Sequence, residues 1–134
     1  MAEYEISEEM NYTRSDEWVR LEGSRATVGI SDYAQHQLGD IVFVELPESG
    51  TELAAGEAFG VVESVKAVSD LYAPVAGKVV EVNESLSDSP EQINASAYGE
   101  GWLLVLECAD PSQVEGLLDA EAYRAHVAQR DDAA

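Results

Sequence analysis

Apolar and polar positions alternate in short bursts along most of this chain, and a period of two belongs to half-buried strands. Trp18-Val19-Arg20-Leu21 and Ala26-Thr27-Val28-Gly29-Ile30 flank the turn residues Glu22-Gly23-Ser24 and predict a hairpin. Ser31-Asp32 precedes Tyr33-Ala34-Gln35-His36-Gln37-Leu38, and Gly39 follows, so an N-cap, a turn or two and a glycine stop predict a short helix. Ile41-Val42-Phe43-Val44-Glu45-Leu46 is β-branched and aromatic, is broken from Pro47 to Gly50, and predicts the next strand. Phe59 to Glu63 reads as another. Asp70-Leu71-Tyr72-Ala73 is extended, with Pro74 restricting the residue before it, and Gly77 to Asn83 alternates again. The centre of the chain is expected to be all-β.

One internal echo stands out. Gly39-Asp40-Ile41-Val42-Phe43-Val44-Glu45 and Gly77-Lys78-Val79-Val80-Glu81-Val82-Asn83 share the pattern Gly-x-(Ile/Val)-Val-x-Val-x. Two similar halves would produce it, with Lys66 between them, and so would the general likeness of short antiparallel strands. Further on, Ser87-Asp88-Ser89-Pro90 predicts a helical turn, and the turn at Tyr98-Gly99-Glu100-Gly101 leads into a buried strand at Trp102 to Glu107. Asp110-Pro111 opens a helical pattern carried by Val114, Leu117, Leu118 and Ala122, with Gly116 as its weak point. Residues 1–11 are expected to form a loosely held arm and 12–129 one domain. Within it the core spans about 25–108 and a helical appendage about 110–129, leaving 130–134 as a frayed tail.

Composition narrows the function. A chain of 134 residues can bury roughly two thirds of its unfolded surface in one domain. Asp and Glu number 27 against 7 Lys and Arg, a formal net charge of -20, which makes nucleic acid a poor partner. Such self-repulsion is screened at about 1 M salt, where the Debye length falls to roughly 3 Å. That balance, with Lys66 and Lys78 as the only lysines, resembles proteins of salt-accumulating halophiles. No stretch approaches the roughly 20 apolar residues of a membrane span. The first residues lack a secretory pattern and Cys108 is the only cysteine, so a reducing cytoplasm is the expected compartment.

Catalytic constellations are missing from the sequence: it has no Gly-rich phosphate loop, no cysteine pair, no metal-spaced histidines and no nucleophile elbow. The chain therefore reads as a poor enzyme, and no metal site is expected. His36 and His126 read as surface or helix residues, Cys108 as a small core residue, and Trp18 and Trp102 as core anchors. The informative stretch is Val61-Val62-Glu63-Ser64-Val65-Lys66-Ala67-Val68-Ser69-Asp70, a lysine between two strand-forming flanks. Paired as a hairpin, the flanks would present Lys66 at the tip, where a modifying enzyme could reach it. By geometry alone an ordinary exposed lysine fits as well.

Glu63-Ser64-Val65-Lys66-Ala67, preceded by Gly60-Val61-Val62 and followed by Ser69-Asp70, resembles the lipoylation signature of glycine cleavage H proteins. The likeness extends to Asp16-Glu17-Trp18-Val19, Val28-Gly29-Ile30-Ser31-Asp32-Tyr33-Ala34, Leu38 to Pro47, Tyr72-Ala73-Pro74-Val75 and Tyr98 to Leu103. It runs in order from about Tyr12 to Tyr123. The resemblance implies a mainly β barrel-sandwich hybrid with short helices at its margins and a C-terminal helix. It also implies lipoate joined by an amide to Lys66, with Glu63, Ser64, Val65 and Ala67 read by the lipoyl-attaching enzyme. In such a system a pyridoxal-phosphate glycine decarboxylase loads an aminomethyl group onto the arm and a tetrahydrofolate-dependent aminomethyltransferase removes it. Dihydrolipoyl dehydrogenase then reoxidises the dithiol. Glu17 and Asp70 are the acids expected in the cleft that shelters the arm. Gln37 stands where some relatives have a histidine, and His36 is its neighbour.

Three rivals share features of this pattern. A biotin carrier would have methionine on both sides of the lysine, where Val65 and Ala67 stand. A 2-oxoacid dehydrogenase lipoyl domain normally belongs to a longer chain, and a lipoate relay would share both lysine and fold. The expected assembly is a monomer meeting its partners transiently.

Overall fold

The computed structural model describes residues 4–133. Among these residues nine strands form two antiparallel sheets: β1 (Asn11–Tyr12), β2 (Glu17–Glu22), β3 (Arg25–Ile30), β4 (Ile41–Glu45), β5 (Glu52–Leu53), β6 (Ala58–Ser64), β7 (Val68–Tyr72), β8 (Gly77–Val82) and β9 (Leu104–Cys108). Six of them lie in the order β1-β2-β3-β9-β8-β5 and three in the order β4-β6-β7. Helices α1 (Asp32–Leu38), α2 (Gln92–Ala95) and α3 (Ala120–Ala133) sit at the margins. This is the mainly β barrel-sandwich architecture with short helices and a C-terminal helix.

Alternation explains the core. Val19, Val28, Val75, Val79, Leu104 and Leu106 are completely buried and, with Val62 and Leu71 from the smaller sheet, fill the space between the layers. Each such side chain contributes about 1.5–3 kcal/mol of transfer free energy. The β2–β3 hairpin puts Trp18 opposite Gly29, and the indole lies against that glycine so closely that an added Cβ would sit 2.5 Å from the ring. The ring Nε1–H donates to the Ala97 carbonyl at 2.9 Å, which ties the sheet to the α2 loop. Helix α1 starts where its cap predicts: Ser31 accepts from the Ala34 N–H, and Gly39 ends the helix at φ 84°, a conformation that glycine adopts without Cβ strain.

The repeated pattern has a structural counterpart. β4 shifts register between Ile41 and Phe43, and β8 shifts between Val79 and Glu81, the same step of the shared motif. Each bulge bends its strand at the equivalent residue. The two strands belong to different sheets, and the β6–β7 hairpin carrying Lys66 lies between them in the chain.

Both ends differ from expectation. Tyr4 packs edge-on against Tyr33 at 4.9 Å, the Glu5 N–H donates to Asp32, and Met10 is buried, so residues 4–11 lie on the body rather than off it. They are held by a second apolar cluster of Tyr12, Trp18, Tyr33, Tyr123 and Val127, in which the Tyr12 and Tyr123 rings stack at 4.3 Å. Residues 1–3 fall outside the described part. The appendage at 110–129 is not one helix. Pro111–Gly116 is a 3-10 turn started by Asp110, Leu118 bridges to Tyr12, and α3 begins at Ala120. Gly116 and that bridge break the pattern. The expected frayed tail instead continues α3 to Ala133, because Arg130 is anchored by Asp16; Ala134 lies outside the described residues.

Candidate functional site

Lys66 sits in the turn that joins β6 to β7. Ser64 builds that turn: its N–H donates to the Ala67 carbonyl at 2.8 Å, and its Oγ accepts from the N–H groups of Lys66 and Ala67 at 3.3 and 3.0 Å. The Val65 N–H donates to the Asp40 carbonyl, fixing the tip to the α1–β4 junction. Lys66 is exposed, its Cε lies over Gly39, and it takes part in none of the ion pairs among the described residues. Val65 and Val68 beside it are exposed, and Glu63 pairs with Val68 across the hairpin.

Further along the same hairpin, Val62, Ser69 and Asp70 line a cleft of about 180 Å³ walled also by β2, α1 and α3. Glu17 and Asp70 both line it. They differ sharply in environment, since Asp70 is exposed whereas Glu17 is only 1% exposed. Glu17 accepts from the Thr13 hydroxyl at 2.5 Å, the Ser15 hydroxyl at 2.6 Å and the Tyr72 N–H at 3.1 Å. All three donors are neutral. Burial pushes the carboxyl above its usual range, although the Ser15, Thr13 and Tyr72 hydrogen bonds pull the other way. A buried carboxylate with neutral partners only is a ready counter-charge for a cation brought into the cleft.

Its neighbour Asp16 is already paired. Asp16, held at φ 77°, takes Arg130 in a two-pronged contact at 2.5 and 2.9 Å and accepts from the Tyr123 hydroxyl at 2.8 Å. Burial and the charge of Asp16 push Tyr123 well above the ordinary phenol range, which keeps it a donor. Arg130 also lies over the Tyr33 ring at 4.8 Å. The result is that α3 forms one wall of the cleft while leaving Glu17 as its buried acid, in no ion pair among the described residues.

Sequence reasoning placed Lys66, Glu17 and Asp70, and the fold brings both acids to one cavity. Of the two α1 residues in question, Gln37 lines the cleft, whereas His36 turns toward Tyr4 and Asp32. Ser15, Asp16 and Arg130 went unrecognised. The local Thr13-x-Ser15-x-Glu17 spacing could have flagged the hydroxyls, but nothing local points from Asp16 to a residue 114 positions away. Cys108 is buried, and burial raises its thiol pKa, with Glu107 adding to the effect. Among the described residues, no cluster of His, Cys, Asp or Glu is arranged for a metal, and no helix is long and apolar enough to cross a membrane.

Residues 10–130 match the profile of the family described as glycine cleavage H-protein. The glycine cleavage system H protein of Anaeromyxobacter sp. (strain K) is 55% identical over 127 residues, covering 95% of this chain and 99% of that one. Its counterpart in Geobacillus thermodenitrificans is 58% identical over 119 residues, covering 89% and 94%. The crystal structure of a glycine cleavage system H protein from Mycobacterium marinum superposes with a TM-score of 0.82 at 39% identity, covering 94% of this chain and 99% of that one. On the fold, the hairpin and this agreement over nearly the whole length, the chain belongs to the glycine cleavage H-protein family.

Proposed function

We propose that Lys66 bears the lipoyl group through which this chain serves as the non-catalytic carrier of the glycine cleavage system. The observation that carries this reading is the position of Lys66: exposed, at the tip of the hairpin whose Val62, Ser69 and Asp70 line a cleft that also holds a buried acid. The family is the lipoyl carrier of that system, and it works with the glycine decarboxylase, the aminomethyltransferase and dihydrolipoyl dehydrogenase. The residues fit the group. The Lys66 amine has room to be acylated without unburying anything, and Gly39 leaves its stem a clear path, since even an added Cβ there would lie 3.5 Å from Cε.

Lipoate, when attached, supplies a sulfur pair that accepts the one-carbon unit and cycles between disulfide and dithiol. The protein does the rest. Ser64 and the bond from Val65 to Asp40 fix the tip from which the arm swings. Glu17 offers a carboxylate to the cationic amine of the carried aminomethyl group, Asp70 at the rim offers a second, and the cleft walls keep bulk water from that group. Glu63, Ser64, Val65 and Ala67 form the surface presented to the lipoyl-attaching enzyme. The same reading places the protein in the cytoplasm as a monomer with transient partners.

The test is a tryptic mass map of protein purified from its native source. The peptide from Ala26 to Lys78 should survive uncut at Lys66 and carry one lipoyl group. A biotin adduct, or a clean unmodified cut after Lys66, would overturn the reading.

A further inference from the structure

The three-stranded sheet ends at β4, so among the described residues no strand lies beside one edge of β4. Across from that edge runs β8. Its outer side is paired with β5 only at Gly77 and Lys78, with the preceding turn at Val79 and with the Ser49 hydroxyl at the Val80 carbonyl, and among the described residues no strand continues beside it from Val80 onward. Between these two strand-free edges lies a groove of about 520 Å³. Val44 and Leu46 form one wall and Val80 and Val82 the other, with buried Leu86 beneath; Glu48, Glu81 and Glu84, all exposed, stand on the rim. The two walls are the echoed strands of the sequence.

An open edge between apolar walls is a template for one more strand. Its rim decides which strand is acceptable. A second copy of this chain would bring another net charge of -20 against three exposed glutamates, whereas an extended segment with alternating basic and apolar side chains would satisfy walls, edge and rim together. The groove is also placed for work with Lys66. Val44 pairs with Val62, four residues before the lysine, which puts the near end of the groove roughly 13 Å from the tip at about 3.3 Å per strand residue. A segment bound there could hold an enzyme against the carrier and leave the arm free to enter its active site.

We propose that this groove docks an extended basic segment of a glycine cleavage enzyme, adding it as a strand to the free edge of β4. The proposal rests on the carrier function given above. The test uses lipoylated protein with E48Q/E81Q/E84Q, and as a control for net charge E22Q/E115Q/E121Q, three exposed acids elsewhere. Purified glycine decarboxylase and aminomethyltransferase are the probes, with the carrier as varied substrate. For at least one enzyme the groove triple should raise KM about five-fold or more with kcat unchanged, while the control triple and the rate of enzymatic lipoylation match wild type. Unchanged KM for both enzymes, or an equal rise in the control triple, would overturn the proposal. So would dimerisation of wild-type protein by light scattering that is lost in the groove triple while KM stays fixed, since that assigns the edge to a second copy. Failure of lipoylated wild type to accept the aminomethyl group would instead strike the carrier reading and is scored separately.

Discussion

Replacing Glu17 by glutamine separates what the cleft does for folding from what it does for cargo. The amide is nearly isosteric. With its oxygen toward the Tyr72 N–H and its NH2 toward the Thr13 and Ser15 oxygens, which can accept as well as donate, all three contacts of the carboxylate survive. What changes is the charge. Because burial outweighs the hydrogen bonds and raises the native pKa, the folded protein binds the Glu17 proton more tightly than the unfolded chain. Stability therefore falls as pH rises from the ordinary carboxylate value through the raised native one, and the loss is complete above it. E17Q does not suffer that loss. It should be more stable than wild type at neutral pH, with a higher Tm, and the gap should close as pH falls through that window. Cargo should respond in the opposite direction. A hydrogen bond to a charged group is worth about 1.5–3 kcal/mol, so loss of the carboxylate should shorten the lifetime of the aminomethyl-loaded form by about ten-fold or more. Thermal melts from pH 4 to 8 and the rate of ammonia release from isolated loaded protein measure the two effects. An E17Q protein that is less stable at pH 7, or one whose loaded form lasts as long as wild type, would refute the reasoning.

The Trp18 contact makes G29A a core overpacking mutant: a Cβ 2.5 Å from the indole must displace the ring or the strand, and urea denaturation should show a loss of about 1–3 kcal/mol. R130M removes the two-pronged partner of Asp16. Since the Arg130 side chain is 37% exposed, the cost is discounted for screening to about 1–2 kcal/mol, and hydrogen exchange should locate the loosening in α3 and the β1–β2 turn. A net charge of -20 predicts that Tm climbs by several degrees between about 0.05 and 1 M NaCl as repulsion is screened; a flat profile would show that the acids are too dispersed to matter.

Whatever depends on neighbours in the chain was legible before any fold was known. Short apolar runs bounded by turn residues at Trp18–Leu21 and Ala26–Ile30, and β-branched and aromatic residues at Ile41–Leu46, were enough for strands, because these preferences act locally whatever lies opposite. Ser31 and Gly39 bounded α1 through caps that act within one turn, and Lys66 between two strand-forming flanks marked the hairpin tip. Residues 4–11, by contrast, gave no hint of order, because Tyr4, Ile6 and Met10 are apolar islands in an acidic stretch whose partners, such as Tyr33 and Tyr123, come from distant segments. The tertiary structure alone decided the cleft. Glu17 becomes a buried acid, in no ion pair among the described residues, only when β7 and α1 close over it, and Asp16, beside it in sequence, escapes that fate only because Arg130 arrives from the far end of the chain. Burial and ion pairing are properties of space, and two adjacent acids carry no local signal to say which will be neutralised and which will be left to meet a cation.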